Sequence, residues 1–190
     1  MLDLPPLYLM RHGQTNWNRD RRIQGQMESE LTETGRGHAA RQGEILAGLT
    51  LPAGICAHVS PLLRTRQTAD IAVAPLGVGI TCDDRLKEVS LGAWEGGYYA
   101  DLLQENPDLR ALNIFDLCLA SPGETLADLQ DRIGAFLRDL RGPAIIVSHG
   151  IALTVLRGLA RGLDHAQMRA LDRGQGYVIQ LVGGVETVHR

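Results

Sequence analysis

The chain has 190 residues, of which 44% are hydrophobic and 22% are charged. This length predicts one domain with its own apolar core, because a chain of this size buries about 70% of its unfolded surface on folding. The formal net charge is −3, from 19 basic and 22 acidic residues, and neither sign forms a long run. This balance argues against nucleic acid or an anionic membrane as a partner.

The cysteine usage is typical of a reducing compartment. Cys56, Cys82 and Cys118 are too few and too widely spaced for a disulfide framework or a CxxC motif. The segment 1–6 lacks the basic and apolar regions of a signal peptide, and no stretch approaches 18 consecutive apolar residues. We therefore expect a cytoplasmic protein that is neither secreted nor inserted in a membrane.

Short apolar runs alternate with helical patterns along the chain. In chain order, they predict strands at 7–10, 55–59, 144–147, 177–182 and 185–189, and helices at 34–49, 62–74, 125–140 and 151–163. The helix at 125–140 is the clearest, because its apolar residues recur every three or four positions. This alternation predicts an α/β fold, a three-layer α/β/α sandwich with a largely parallel central sheet.

The segment 83–122 is less regular than the rest of the chain. It mixes Gly92, Gly96, Gly97 and Pro107 with short amphipathic pieces. We expect it to cover the substrate as an insertion within a single domain that spans 1–190. No internal repeat and no low-complexity tract interrupts that domain.

Three of the predicted strands end in residues that can bind an anion. The first runs into Arg11 and His12, the second leads to Arg64 in the first turn of a helix, and the third ends at His149 before another helix. Ligands of open α/β sheets bind beyond the carboxyl ends of the strands. We expect the two guanidiniums to bind phosphate oxygens, with N–H groups at the amino terminus of the last helix as further donors. Arg66 points about 200° away from Arg64 around the helix axis.

These segments resemble the histidine phosphatase superfamily, the phosphoglycerate-mutase-like group. The opening Arg-His-Gly-x-Thr-x-x-Asn pattern of that family stands here as Arg11, His12, Gly13, Thr15 and Asn18. The other motifs follow in the order of the family: Leu31, Thr32 and Gly35; Ser60 to Arg64 with Thr68 and Ala69; Leu86, Glu88, Gly92, Trp94, Glu95 and Gly96; Pro122 to Thr125; and Ser148 to Gly150. Each motif alone is weak, but six in the same order are specific.

The resemblance implies a role for each matched residue. His12 is the nucleophile, and Glu88 protonates the leaving oxygen and then activates water. The phosphoryl group and substrate are bound by Arg11, Asn18, Arg64 and His149, with Gln24 and Gly25 also among the substrate-binding residues. Two adjacent guanidiniums disfavour a protonated imidazole, so His12 is expected to be neutral near pH 7. Neither a cofactor nor a metal ion is implied.

The choice of Glu88 as the acid has competitors. Glu95, Asp83 and Asp84 lie in the same stretch of sequence, and the choice among them depends on the motif match. The histidines outside the motifs show no metal-ligand spacing with cysteine or carboxylate, which argues against a zinc or two-metal phosphatase.

The leading hypothesis is a metal-independent phosphomonoesterase, a histidine acid phosphatase-type hydrolase that acts on a phosphorylated small molecule through a phosphohistidine on His12. The alternative within the family is a phosphoglycerate-type mutase. Between Gly97 and Ser121 the only basic residue is Arg110, and a bisphosphate requires more positive charge, so hydrolysis is favoured. A phosphate-ligand binding module without catalysis is the alternative from another class. The substrate and the oligomeric state, including a homodimer, are left open.

Overall fold

The computed structural model describes residues 3–190, and its centre is a six-stranded sheet. The strands are β1 (Leu7–Arg11), β2 (Cys56–Val59), β3 (Ile80–Cys82), β4 (Ala144–Ser148), β5 (Val178–Val182) and β6 (Val185–His189). They lie in the order β3-β2-β4-β1-β5-β6. The first four are parallel, whereas the pairs β1–β5 and β5–β6 are antiparallel. The predicted largely parallel sheet is confirmed.

Helices pack on both faces of this sheet. Within residues 3–190 the α-helices are α1 (Asn16–Arg19), α2 (Glu33–Gly48), α3 (Leu63–Ala72), α4 (Tyr99–Glu105), α5 (Ile114–Leu119), α6 (Leu126–Asp139), α7 (Gly150–Arg161) and α8 (His165–Arg169). Polar residues set the helix starts, as the side chain of Thr32 accepts a hydrogen bond from Gly35 N and Thr125 forms a capping box with Asp128.

The strand β1 separates two hydrophobic cores, because successive side chains of a strand point to opposite faces. Leu7 and Leu9 pack in the core that contains the buried residues of α6 and α7, and Tyr8 and Met10 pack in the core that contains those of α2 and α3. The sheet therefore lies between two helical layers. This arrangement is the predicted α/β/α sandwich.

The carboxyl ends of the central parallel strands meet at one edge. Arg11 pairs with Ser148 in the register of β1 and β4, and the backbone N–H of His12 donates to the Ser148 carbonyl oxygen at 3.0 Å. Beside them, the N–H of Ser60 donates to the Val147 carbonyl oxygen at 3.0 Å. Residues 12, 60 and 149 are consequently neighbours although they are far apart in the chain.

Several short elements were not predicted. The strand β3 follows the helix α3, is only three residues long and has all three side chains exposed, so it is too short to show a clear strand pattern in the sequence. The segment 83–122 contains the helices α4 and α5 and 3₁₀ helices at Asp84–Leu86, Gly92–Trp94 and Pro107–Ala111. These are too short for a clear helical period, so the sequence shows only short amphipathic pieces without helix bounds.

Candidate active site

A cavity of about 430 Å³ opens at this edge of the sheet. Its walls come from five separate parts of the chain. They are formed by Arg11, His12, Trp17, Asn18, Arg21, Arg22, Gln24, Gly25, Arg64, Glu88, Val89, Leu91, Tyr99, Leu103, Ile114, Leu117, Cys118, Gly150, Ile151 and Arg173. All but one of the residues predicted from sequence for the site therefore line a single cavity, and the exception is His149.

The imidazole of His12 has a fixed orientation, in which Nδ1 faces the backbone of the loop that carries it. The ring is 2% exposed, and its Nδ1 lies 2.8 Å from the carbonyl oxygen of Gly13. Burial and then the charges of Arg64 and Arg11 keep the pKa of His12 well below its usual value. The imidazole is therefore neutral near pH 7, with Nδ1 protonated and Nε2 carrying the free lone pair.

Gly13 is needed where the loop after β1 passes the start of α2. A side chain there would meet the carbonyl oxygen of Gly35, since a Cβ built on Gly13 lies 2.1 Å from that atom. The backbone N–H of Gly13 donates to the hydroxyl of Thr68 at 3.1 Å, which ties the same loop to α3. Close backbone packing thus fixes the loop that carries His12.

Arg64 is almost completely buried and links three parts of the site. Its Nε donates to Nδ1 of His149 at 3.1 Å, its Nη1 to the carbonyl oxygen of Met27 at 2.8 Å, and its Nη2 to that of Gly25 at 2.7 Å. Burial lowers its pKa to about 10, which leaves the guanidinium charged at pH 7. Arg66, as predicted, is on the exposed side of α3.

His149 lies behind the cavity wall. Its ring is fully buried, and its centroid is 5.2 Å from that of His12. Nδ1 accepts from Arg64, so the ring proton is on Nε2, which donates to Ser60 Oγ at 2.8 Å. Burial and the nearby guanidinium of Arg64 keep the pKa of His149 well below its usual value. Because both ring nitrogens are bonded to protein atoms, a direct contact from this ring to a phosphoryl oxygen stays a prediction.

Arg11 brings a second guanidinium, which is half-buried, to the cavity. Its Nη1 donates to the carbonyl oxygen of Arg173 at 2.5 Å, and its guanidinium lies over Gly150 at the start of α7. Within residues 3–190 the buried Nε of Arg11 has no hydrogen-bond partner. Burial lowers the pKa of Arg11, although the nearby carboxylate of Glu88 opposes this shift. An unpartnered, buried N–H beside a cavity is a donor available to an anion.

Glu88 is bound to the amino terminus of α7. Its Oε1 accepts from the backbone N–H groups of Val89 and Ala152, both at 3.0 Å, and its Oε2 accepts from that of Ile151 at 3.2 Å. The sequence-based expectation that these helix N–H groups would bind phosphate is therefore wrong for Ile151 and Ala152. They hold a carboxylate of the protein instead, as the positive end of the helix dipole favours.

Two residues that were not predicted for the site fix the backbone around Glu88. Arg132, on α6, donates to the carbonyl oxygens of Arg85, Lys87 and Glu88 at 2.6 to 3.1 Å. The same guanidinium forms two hydrogen bonds with Glu124, at 2.5 and 2.8 Å. Arg132 lies outside the apolar positions of α6, and no sequence signal distinguishes it from Arg138, the exposed arginine of the same helix.

The loop that follows β1 contributes Asn18, Gln24 and Gly25 to the cavity wall, as predicted. The side-chain oxygen of Asn18 accepts from Thr15 N at 3.2 Å, and that of Gln24 accepts from the Thr15 hydroxyl at 2.9 Å. Gly25 has φ +49°, and a Cβ there would lie 2.1 Å from a carboxylate oxygen of Glu95. These contacts fix the loop, and the binding roles of its residues stay predictions.

The competing carboxylates are engaged elsewhere. Glu95 accepts from the backbone N–H groups of Gln26 and Leu91, at 3.1 and 2.8 Å, so it joins two loops behind the cavity. Asp83 forms a salt bridge with Arg85 at 2.7 Å, and Asp84 forms one with Lys87 at 3.1 Å. Of these carboxylates and Glu88, Glu88 is the one that lines the cavity.

Comparison with known proteins identifies the family. The model of the histidine phosphatase superfamily (branch 1) matches residues 7–187. The chain belongs to this superfamily. A relative from Citrobacter koseri, named "Probable phosphoglycerate mutase GpmB", is 37% identical over 166 residues, which cover 83% of this chain and 75% of the relative. The superfamily comprises phosphatases and mutases, and the match confirms the predicted family.

Solved structures of the superfamily share the whole fold. Bacillus stearothermophilus YhfR is 30% identical with a TM-score of 0.81, over 97% of this chain and 95% of that one. A mycobacterial glucosyl-3-phosphoglycerate phosphatase, solved with VO3, is 26% identical with a TM-score of 0.78, over 97% of this chain and 96% of that one. The predicted label of a histidine acid phosphatase is wrong, because histidine acid phosphatases are a different family from the branch that matches.

Within residues 3–190, no helix is both long and apolar enough to cross a membrane. In the same range, His, Cys, Asp and Glu side chains form no group of three or more that could hold a metal ion.

Proposed function

We propose that this protein is a metal-independent phosphomonoesterase that transfers the phosphoryl group of a small molecule first to His12 and then to water. The observation that carries the proposal is the contact of His12 Nδ1 with the carbonyl oxygen of Gly13 at 2.8 Å. A carbonyl oxygen only accepts, so Nδ1 keeps the ring proton and the lone pair on Nε2 is free to attack phosphorus.

In the proposed first step, the bond from Nε2 to phosphorus forms while the bond from phosphorus to the leaving oxygen breaks. Arg11 and Arg64 supply the positive charge that this transfer requires, since phosphoryl transfer is catalysed mainly by positioning and electrostatics. Glu88, in its protonated form, gives its proton to the leaving oxygen, and the carboxylate that results takes a proton from the attacking water in the second step. The nitrogen–phosphorus bond breaks in the second step, and inorganic phosphate leaves.

A phosphoglycerate-type mutase is the second candidate, and the names of the relatives favour it. Several relatives that are 37 or 38% identical to this chain carry that name. The charge of the segment 97–121 favours hydrolysis instead. Its one basic residue, Arg110, is exposed and does not line the cavity, so this segment adds no cation to the arginines that line the cavity from other parts of the chain.

A phosphate-binding module without catalysis is less well supported than either enzyme. Such a module requires only the charged groups around the anion. Here a neutral imidazole and a carboxylate line the same cavity as the two guanidiniums, which provides a nucleophile and an acid in addition.

The proposal is tested with p-nitrophenyl phosphate in the presence of excess EDTA. We expect phosphate release by the purified protein to be insensitive to the chelator and to disappear in His12→Ala. Release that persists in His12→Ala would refute the nucleophile, and release that EDTA abolishes would point to metal-assisted hydrolysis. Conversion of 3-phosphoglycerate to its 2-isomer without phosphate release would establish the mutase.

The expectations about partners and compartment are proposals of the same kind. We propose a cytoplasmic protein whose partner is a phosphorylated small molecule, with neither nucleic acid nor a membrane as a ligand. Light scattering on the purified protein would decide between a monomer and a homodimer.

A further inference from the structure

The cavity that contains His12 has two chemically different walls. We call residues 83–122 the covering segment. Besides Glu88, the covering segment lines the cavity only with uncharged, mostly apolar side chains: Val89, Leu91, Tyr99, Leu103, Ile114, Leu117 and Cys118. The arginines of the cavity come from other parts of the chain. The place where phosphate charge is held is thus distinct from the wall that the covering segment forms.

The charged residues of α4, α5 and the turn between them point away from the cavity. They are Asp101, Glu105, Asp108, Arg110 and Asp116, and none of them is among the residues of its wall. Asp116 instead forms a salt bridge with Arg169 on α8 at 3.3 Å and lies 3.2 Å from the imidazole of His165. The apolar wall therefore consists of Val89 and Leu91 together with the apolar faces of the two short amphipathic helices α4 and α5.

The two polar atoms in this wall are neutral. Burial raises the pKa of the Cys118 thiol to about 12 and raises the pKa of the Tyr99 hydroxyl as well. Neither group carries charge near pH 7. The wall consequently offers no fixed charge to a carboxylate or to a second phosphate.

The arginines on the opposite wall are largely committed to protein atoms. Arg22 donates from Nε to the carbonyl oxygen of Gly96 at 2.6 Å, and its guanidinium stacks 4.1 Å from the centre of the Trp17 ring. Arg173 donates to the carbonyl oxygen of Arg169 at 3.0 Å. Arg21 is exposed at the rim, with a backbone φ of +54°. Arg21 is therefore the cation at the entrance, and inside the cavity a leaving group packs against the apolar wall.

Resting on the proposed function, we propose that the leaving group of the substrate is an uncharged alkyl or aryl group. The substrate class is then an apolar phosphomonoester, and its one strongly charged part is the phosphate. Burial of each methylene against such a wall strengthens binding by about threefold to fourfold. A cavity of about 430 Å³ is within the usual range for a small-molecule site.

A series of n-alkyl phosphates from ethyl to octyl tests this inference, because their leaving alcohols have similar basicity. We expect kcat/KM to rise about threefold per methylene until the chain reaches the rim. A matched comparison uses n-propyl phosphate, glycerol 3-phosphate and 3-phosphoglycerate, which share three carbons. The propyl ester should be the best of the three by tenfold or more.

A kcat/KM that does not change with alkyl chain length would overturn the inference. A preference for 3-phosphoglycerate would also overturn it, because it would point to anion binding by the arginines. In both cases the enzyme still releases phosphate, so the proposed function stands. Failure to hydrolyse every ester, including p-nitrophenyl phosphate, would refute the proposed function itself and the inference with it.

Two matched variants locate the effect. Ile114 is 44% exposed and lines the cavity, whereas Leu112 is 37% exposed, lies two residues away and does not. Ile114→Ser should flatten the dependence on chain length and lower kcat/KM for octyl phosphate by about fivefold. Leu112→Ser should keep the wild-type dependence. If kcat/KM depended on alkyl chain length equally in both variants, the apolar wall would not be the binding site of the leaving group.

Discussion

Nε of Arg64 donates a hydrogen bond to Nδ1 of His149 across 3.1 Å. This bond fixes the ring proton of His149 on Nε2, where Ser60 accepts it, and it holds the ring beside that of His12. The same guanidinium holds the carbonyl oxygens of Gly25 and Met27. One buried arginine therefore positions both the second imidazole and the loop that lines the cavity.

We expect Arg64→Ala to lower kcat/KM by about 10² or more, because it removes a buried charge and three positioning hydrogen bonds at once. Arg64→Lys should recover little of this loss, since an ammonium cannot reproduce the planar fork. Steady-state kinetics with p-nitrophenyl phosphate measures both variants. Arg66→Ala, at an exposed position of the same helix, serves as the control. A loss below threefold in Arg64→Ala would show that Arg64 is not part of the machinery.

Arg132 is expected to act by positioning Glu88. Arg132→Ala frees the backbone of residues 85–88, so proton donation to the leaving oxygen should suffer. We expect kcat/KM for an alkyl phosphate to fall about tenfold more than kcat/KM for p-nitrophenyl phosphate, whose leaving group needs little protonation.

The control for this prediction is Arg138→Ala, which changes an exposed arginine on the same helix. A merely structural role for Arg132 would lower the rates with both substrates by the same factor. Equal losses would therefore contradict the positioning role, even if the variant folds less well.

The free energy of unfolding of the protein should decrease as the pH is lowered from about 6.5. His12 and His149 have folded-state pKa values well below the unfolded value of 6.5, so the unfolded state binds more protons in the window below 6.5. The stabilisation is fully present above that pH and is lost as the pH decreases. Each histidine contributes a slope of up to about 1.4 kcal/mol per pH unit.

Urea unfolding between pH 5 and pH 8 measures this slope. The variants His12→Asn and His149→Asn should each reduce the slope below pH 6.5, and the double variant should reduce it further. Identical slopes in the wild type and the double variant would show that these two rings are not the source.

Close packing at Gly13 predicts a large effect of one added methyl group. Gly13→Ala brings Cβ against the carbonyl oxygen of Gly35, and backbone atoms cannot move aside as a flexible side chain can. We expect a loss of about 2 to 3 kcal/mol in the free energy of unfolding. Gly37→Ala, where nothing lies within 4 Å, should stabilise α2 by up to about 1 kcal/mol. Thermal unfolding of the two variants would contradict this account if both were equally stable.

The central sheet and the location of the site were predictable from the sequence. The strands β1, β2 and β4 are short apolar runs that end in polar residues, and parallel strands bring such ends to one edge. For that reason His12 and Arg64 could be placed in one cavity from sequence alone. The position of Arg66 away from the cavity followed from the helical period.

The rest of the site depends on contacts that leave no local pattern. The helix N–H groups of Ile151 and Ala152 bind Glu88, which is more than 60 residues away in the chain. Arg132 contacts the backbone of a distant segment, and backbone acceptors have no sequence signature. Most of the apolar wall is made by helices that are too short to show a helical period in the sequence. Tertiary packing decides each of these features.

The central claim is the covalent intermediate on His12. Rapid quenching of the protein during turnover of a phosphomonoester, followed by mass spectrometry of the peptides, measures it directly. We predict one phosphoryl group per chain on residue 12, which is labile in acid and stable in alkali. The variant His12→Asn should carry no phosphoryl group and should release no phosphate. Turnover in His12→Asn, or a phosphoryl group on another residue, would contradict the account.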